Sequence, residues 1–522
     1  MADTVQQLLR ERAGDPAPAV RYGELEWTWA RYLDEAARQA AALIALGDPE
    51  RPLHVGTLLG NTPAMLAAMA AAGLGGYVLA GINTTRRGVA LVRDIALADC
   101  QILLTDTAHL GLLEGLQMPG VRVFDVDSAQ WRALLTSAGQ LQPRAEPGPT
   151  DTFMLIFTSG TSGEPKAVRV PHMMIPFSGV ALAQRFSLTS ADVCYLSMPL
   201  FHSNALLGGW AVALASGAAM APADFSASGL LGDLRRYGAT YMNYVGKPLA
   251  YVLATPERPD DADNPLRVAF GNEAAERDIA EFGRRFGCTV TDGFGSTEGA
   301  VIITRDGNCP PGSVGRGFPG VAIYHPEKRT ECPPARFDAA GALANAAEAI
   351  GEIVNTEGAG MFRGYYNDPE ATGERLRHGM YWSGDLGYRD DDGWIYLAGR
   401  TGEWLRVDGE NLACGPIERI LLRLAPVSQV AVYAVADDLV GDAVMAALVL
   451  RDGATLSAGE FGEFLAAQPD LSPKAWPRHV WIAGALPATA TNKVVKRRLS
   501  AQGLAVPSGR LWRRRADGYH PA

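Results

Sequence analysis

Thr158-Ser159-Gly160-Thr161-Ser162-Gly163-Glu164-Pro165-Lys166 follows the apolar run Phe153-Met154-Leu155-Ile156-Phe157. The run is short, aromatic and aliphatic, which predicts a buried strand. A strand that runs into two glycines, four hydroxyl residues and one lysine has the outline of a phosphate-handling loop. Glycine lets the backbone approach an anion and turn its N–H groups inward, hydroxyls add donors, and lysine brings a point charge. The pattern is not G-x-x-x-x-G-K-[ST], because Gly160 and Gly163 are too close and Ala167 follows Lys166. Taken alone, the stretch also reads as an ordinary Gly/Ser-rich surface loop. The chain around it weighs against that.

A chain of 522 residues, with 48% apolar and 20% charged residues, has ordinary globular composition and room for about three structural units. The net charge of −10 argues against a nucleic-acid partner. Six cysteines are scattered without a C-x-x-C pair, which fits a reducing cytoplasm and neither a disulfide scaffold nor a zinc site. Met1 to Arg12 has no apolar core and is not expected to be a signal peptide. Pro63 to Ile82 and Ser203 to Ala223 carry no charge, but both are Ala/Gly-rich and broken by paired glycines. Each is expected to be a buried helix running into a following segment rather than a membrane span.

The first 150 residues alternate between helical and strand patterns. Helices are expected up to Leu46, from Ala64 and over Ala90 to Asp99, with strands at His54 to Leu59, Tyr77 to Ile82 and Gln101 to Thr105. That rhythm predicts an α/β domain with a largely parallel sheet. Further strands are expected at Val193 to Met198, Arg267 to Phe270 and Thr289 to Asp292, each ending in a Gly- or Pro-punctuated loop. Such loops build a site at the carboxyl edge of a sheet. Cys309 to Ala349 reads as irregular or as a β-meander. A boundary near Gly402 divides the chain into 1–401 and a small α+β part, 402–522, with a strand pair at Val430 to Val435 and Val444 to Leu450 and a helix near Glu460 to Ala467.

Several residues beyond the first loop suit the same chemistry. Glu298 follows Gly293-Phe294-Gly295-Ser296-Thr297 after a strand, where a carboxylate beside phosphates can hold Mg²⁺, or simply sit as a helix N-terminal acid. Asp385, in Ser383-Gly384-Asp385, can accept both hydroxyls of a ribose or close an Asx-turn. Arg400 ends Tyr396-Leu397-Ala398-Gly399-Arg400, and Lys493 stands in a C-terminal loop after Asn492. Either can be an ordinary solvated cation. The Arg-rich end (Arg510, Arg513, Arg514, Arg515) reads as a solvated tail, with peripheral contact to an anionic membrane as the alternative.

Together these motifs resemble the adenylate-forming superfamily of acyl-CoA synthetases, adenylation domains and luciferases, over nearly the whole chain. Thr158 to Lys166 meets the family pattern T-S-G-T-[ST]-G-x-P-K at every place. Ser296-Thr297-Glu298, Ser383-Gly384-Asp385, Gly399-Arg400 and Lys493 follow in the family order. Gly409-Glu410-Asn411 resembles the branch of fatty-acid transport proteins and very-long-chain acyl-CoA synthetases, nearest to actinobacterial fatty-acid–CoA ligases, some of whose relatives activate steroid side-chain carboxylates.

The resemblance implies a large N-terminal domain of stacked, mostly parallel α/β sheets with a β-barrel-like part, followed by a small mobile α+β domain. It implies formation of an acyl-adenylate and pyrophosphate from a carboxylate and Mg-ATP, then a thioester with coenzyme A. A long-chain fatty acid is the favoured substrate. Alternatives are a steroid side-chain carboxylate, an acyl carrier protein as acceptor, or fatty-acid uptake and binding without turnover. Residue by residue, the loop Thr158, Ser159, Gly160, Thr161, Ser162, Gly163 and Lys166 would cradle the β- and γ-phosphates. Gly271, Asn272, Glu273, Gly293, Phe294 and Gly295 would enclose adenine, with Thr297 beside Ser296 on the α-phosphate and Glu298 on Mg²⁺. Asp385 and Arg400 would bind ribose, and His202, after Phe201, would stand near the acyl pocket. Lys493 would serve adenylation only, Gly402 would be the hinge, and Gly409, Glu410 and Asn411 would face coenzyme A. The sequence leaves the acyl group and the oligomeric state open.

Overall fold

The computed structural model describes residues 2–159, 165–306, 308–339, 341, 343–401, 404–407, 410–437, 441–488, 494–506 and 510–522. These form two compact units: Met1–Ala300 with Ala359–Leu376, and Val301–Gly358 with Arg377–Ala522.

The first unit contains two sheets, each mostly parallel. One has the strand order Thr289–Asp292, Val268–Asn272, Tyr241–Val245, Val193–Leu196, Ala219–Pro222, Pro18–Tyr22, Leu25–Thr28; only the last pair is antiparallel. The other runs Arg122–Asp125, Ile102–Thr105, His54–Leu58, Val78–Gly81, Thr152–Ser159, Pro165–Pro171, again antiparallel only at its last pair. The βαβ rhythm of the sequence is thus realised twice, because short apolar strands buried on both faces need helical crossovers between parallel neighbours. Burial is complete along Ile102–Thr105 and His54–Leu58.

The uncharged stretches are buried helices. Pro63–Gly75 starts with proline at its first turn and is buried from Met65 to Gly75. Ser203–Ala205 passes through a π-turn at Leu206–Trp210 into Ala211–Ser216. Small residues here serve close packing: a Cβ on Gly179 of the neighbouring helix would stand 2.2 Å from the Ala211 carbonyl oxygen. Among the described residues no helix is long and apolar enough to cross a membrane.

The second unit holds an antiparallel sheet of Ile302–Thr304, Gly315–Gly317, Trp394–Arg400, Met380–Arg389, Gly351–Asn355 and Val321–Tyr324. A further sheet is built on the long hairpin Val427–Asp437 and Gly441–Leu450, covered by a core that includes Leu421, Phe461, Leu465 and Trp512. The Arg-rich end corrects the expectation of a solvated tail: Leu511–Arg515 is a strand paired with His479–Ala483 and Gly518–Pro521. Trp512 is buried while Arg513 and Arg515 are exposed, so strand alternation carries the charges outward. The hinge expected at Gly402, together with Gly409 and Lys493, lies outside the described residues.

Candidate active site

The strand Thr152–Ser159 delivers Thr158 to the start of the Gly-rich loop, and Thr158 pairs in register with Lys166 on the returning strand Pro165–Pro171. Gly160, Thr161, Ser162 and Gly163 lie outside the described residues. The Lys166 side chain is only 11% exposed; its ammonium stands 3.4 Å from Glu374 Oε2 and 5.3 Å from the centroid of the Tyr365 ring.

Tyr365 reaches this place because Gly364 to Tyr366 runs along the edge of Pro165–Pro171. The Tyr366 amide donates to the Ala167 carbonyl (2.7 Å) and the Arg169 amide to the Gly364 carbonyl (3.2 Å). The Tyr365 hydroxyl donates to Glu298 Oε1 at 2.8 Å. Burial and then the Glu298 charge push the phenol well above its ordinary pKa, so it remains a donor. One aromatic side chain therefore joins the lysine of the first motif to the glutamate of the second.

Thr297 and Glu298 are buried. Thr297 Oγ1 and Ser203 Oγ share a 2.8 Å hydrogen bond, which ties the loop after Thr289–Asp292 to the residue following His202. Asn204 Nδ2 donates to Asn272 Oδ1 (2.9 Å) and to the Tyr244 carbonyl (3.0 Å), and Asn204 Oδ1 accepts from Asn243 (2.7 Å). The Tyr244 hydroxyl donates to Asp292 Oδ1 (2.6 Å), whose other oxygen accepts the Ala274 amide (3.1 Å). Carboxyl ends of three parallel strands are thus held at fixed spacing by side chains.

Gly271 and Asn272 belong to the strand Val268–Asn272 rather than to the loop that the sequence suggested. A Cβ on Gly271 would stand 2.3 Å from the Tyr244 carbonyl oxygen, so only glycine fits. Glu273 then turns at φ 65°, and the Gly293 amide donates to the Gly271 carbonyl at 2.8 Å. Phe294 is half-buried and Gly295 exposed, and half-buried Ser296 follows them.

His202 is half-buried; its amide donates to the Pro199 carbonyl (2.9 Å) and its carbonyl accepts the Leu206 amide (3.1 Å). The segment before it is held by Asn61, which no motif marked. Asn61 Nδ2 donates to the carbonyls of Leu196, Met198 and Ala223 at 2.9–3.2 Å, and its Oδ1 accepts the Leu200 amide at 3.0 Å.

In the second unit Asp385 and Arg400 face each other across neighbouring strands, with Nε to Oδ1 at 3.2 Å. Gly384 (φ 76°), within the strand Met380–Arg389, donates its amide to buried Glu352 at 2.7 Å, which fixes the backbone next to Asp385. Glu410 and Asn411 lie on the strand Glu410–Ala413.

Residues 9–366 match the family model of the AMP-binding enzymes, and residues 416–493 match that of the AMP-binding enzyme C-terminal domain. The chain belongs to this family, as the motif resemblance implied. It is 51% identical over 503 residues to a medium/long-chain-fatty-acid–CoA ligase of Mycobacterium marinum, covering 96% of each chain. It is 45% identical over 509 residues to a steroid-22-oyl-CoA synthetase of Rhodococcus jostii, covering 96% of this chain and 91% of that one. Among solved structures, ATP-bound MatB from Rhodopseudomonas palustris shares the fold, with a TM-score of 0.83, 23% identity, and 96% and 99% of the two chains covered. The o-succinylbenzoate CoA synthetase of Bacillus subtilis, in complex with its acyl-adenylate intermediate, gives a TM-score of 0.77 at 25% identity, covering 94% and 97%.

Proposed function

We propose that this AMP-binding enzyme joins a medium- or long-chain fatty acid to coenzyme A at the expense of ATP. The observation that carries this reading is the 51% identity to the Mycobacterium marinum ligase across 96% of both chains. The carboxylate attacks the α-phosphorus of ATP, releasing pyrophosphate; the thiol of coenzyme A then displaces AMP from the acyl-adenylate. No protein nucleophile is needed, and the work lies in positioning and charge neutralisation.

The residues divide that work by chemistry. Lys166, with the Gly-rich loop from Thr158, meets the outer phosphates, and its shielded position keeps the ammonium from wandering. Thr297, oriented by Ser203, donates toward the α-phosphate. Glu298, with Oε1 accepting the Tyr365 hydroxyl, is the residue that would hold Mg²⁺ beside the phosphates. When bound, Mg²⁺ neutralises charge on the phosphates. Gly271, Asn272, Phe294 and Gly295 form the adenine side, Asp385 and Arg400 the ribose side, and His202 borders the acyl side. Lys493 serves the first half-reaction, with Gly402 as the hinge that exchanges it for the coenzyme A surface at Gly409, Glu410 and Asn411.

A steroid side-chain carboxylate is the second reading, favoured by the 45% identity to the Rhodococcus jostii synthetase. Exchange of labelled pyrophosphate into ATP, without coenzyme A, tests the first step for either acid. Exchange that depends on a fatty acid supports the main reading; exchange with a steroid acid alone selects the second; no exchange with any acid rejects both.

A further inference from the structure

Beyond Gly402 the first helix is Cys414–Leu421, and its faces make contacts of two kinds. Ile417, Ile420 and Leu421 are buried in one apolar core with Val432, Phe461 and Leu465, all further along the chain. Glu418 accepts the Val432 amide at 2.7 Å and pairs with Lys496 at 2.9 Å. The helix is thus built into the C-terminal part and moves with it.

Gly415 and Arg419, one turn apart, share another face. That face meets the strand Trp394–Arg400, which precedes Gly402. The strand bulges there: Leu386 pairs with Gly399 but Gly387 with Leu397, which leaves Ala398 as the extra residue. A Cβ on Gly415 would stand 2.9 Å from the Ala398 carbonyl carbon, so the helix rests directly on the bulge. From the same face half-buried Arg419 donates to the Leu397 carbonyl through Nη1 and to the Tyr388 hydroxyl through Nη2, the latter at 3.1 Å. Tyr388 is itself fixed, stacked on Tyr396 with ring centres 5.0 Å apart. The sheet holds the chain as far as Thr401, whose amide donates to the Gly384 carbonyl at 3.0 Å.

We propose, as a consequence of the ligase reading and its hinge at Gly402, that Arg419 is a latch. It is a positioning residue that holds the small domain on the sheet carrying Asp385 and Arg400, and it lets go when the domain turns between half-reactions. Rotation about Gly402 carries Arg419 away with its helix, while Leu397 and Tyr388 stay with the sheet. Both hydrogen bonds are therefore made in one orientation and broken in the other. The core contacts of Ile417, Ile420 and Leu421 are the same in both, so the bias between orientations comes from the Arg419 face.

Arg419→Met in the full chain tests this. Two rates are measured separately: exchange of labelled pyrophosphate into ATP, and conversion of pre-made acyl-adenylate to the thioester. Their ratio should shift about tenfold to a hundredfold, the scale of a lost hydrogen bond to a charged group, and the half-reaction that slows is the one this orientation serves. Tyr388→Phe keeps the stacked ring and should move the ratio several-fold in the same direction; it carries the test should Arg419→Met fail to fold. A loss of folding stability alone slows both half-reactions alike, so the ratio separates positioning from support. Small-angle X-ray scattering reads the domain orientation without turnover, and the profile of the variant should depart from that of wild type. An unchanged ratio, an unchanged profile, or opposite shifts from the two variants overturns the latch. A wild type that fails both half-reactions rejects the ligase reading, and the scattering comparison then decides the latch alone.

Discussion

The Tyr365 hydroxyl donates a 2.8 Å hydrogen bond to Glu298 Oε1 while Lys166 Nζ stands 5.3 Å from the centre of the same ring. A single side chain thereby sets the spacing between the cation and the anion of the candidate phosphate site. Tyr365→Phe keeps the ring under Lys166 and removes the hydroxyl's bond to Glu298, together with its side-chain bond with Arg375. The expected loss is about tenfold to a hundredfold in kcat/KM, from about 1.5–3 kcal/mol for a hydrogen bond to a charged group. The Mg²⁺ concentration for half-maximal pyrophosphate exchange should rise, and stability should fall by about 1–3 kcal/mol because a buried carboxylate loses a donor. An unaltered Mg²⁺ dependence would separate Tyr365 from Glu298.

Asn61 makes four hydrogen bonds, three of which pin the chain from Leu196 to Leu200, just ahead of Phe201 and His202, while the fourth goes to the Ala223 carbonyl. Asn61→Ala leaves buried carbonyls unpaired and should cost about 3 kcal/mol of stability. Because the segment leads to the acyl side, KM for the acid should rise more than KM for ATP. Urea unfolding and steady-state kinetics on the same preparation check both parts.

His172 is held at about 4, against an ordinary 6.5, mainly by burial, with Asp151 opposing. The folded value is the lower one, so as pH falls the unfolded chain takes up the proton first. The stability contributed is complete above pH 6.5 and is lost progressively as pH falls toward 4. The shift corresponds to about 3 kcal/mol at most. His172→Gln should flatten that part of the stability profile between pH 4 and 6.5, read by denaturant midpoints across this range. An unchanged profile would show that His172 does not titrate with folding.

Lys493→Ala should reduce adenylation by about 10²–10³, the scale for removing one preorganised charge donor. Conversion of pre-made acyl-adenylate to the thioester should be nearly intact. Comparable loss in both half-reactions would contradict the alternation of Lys493 between them.

Much of this was legible in the sequence. The strand before Thr158, the alternation through the first 150 residues, the two uncharged helices and the C-terminal hairpin all follow from apolar periodicity and its punctuation. Leu511–Arg515 was not legible as a strand, because its outward arginines conceal a single inward Trp512, and its partners are set by pairing elsewhere in the chain. Gly271 and Asn272 look like loop residues, yet Gly271 is a strand residue whose missing Cβ makes room for Tyr244. Tyr365 and Asn61 act on residues 67 and 135–162 positions away, distances over which a single sequence carries no local signal. Glycines and charges at phosphate loops announce themselves; the side chains that aim them do not.

The most direct test is Mg-ATP-dependent product formation with coenzyme A, over medium- and long-chain fatty acids and steroid carboxylates. AMP, pyrophosphate and thioester are quantified together. Over many turnovers, equal amounts of AMP, pyrophosphate and fatty acyl-CoA are the predicted result, with free AMP and thioester formed only when acid and coenzyme A are both present. Acyl-adenylate and pyrophosphate with no coenzyme A thioester, or no turnover of any acid, would contradict the account.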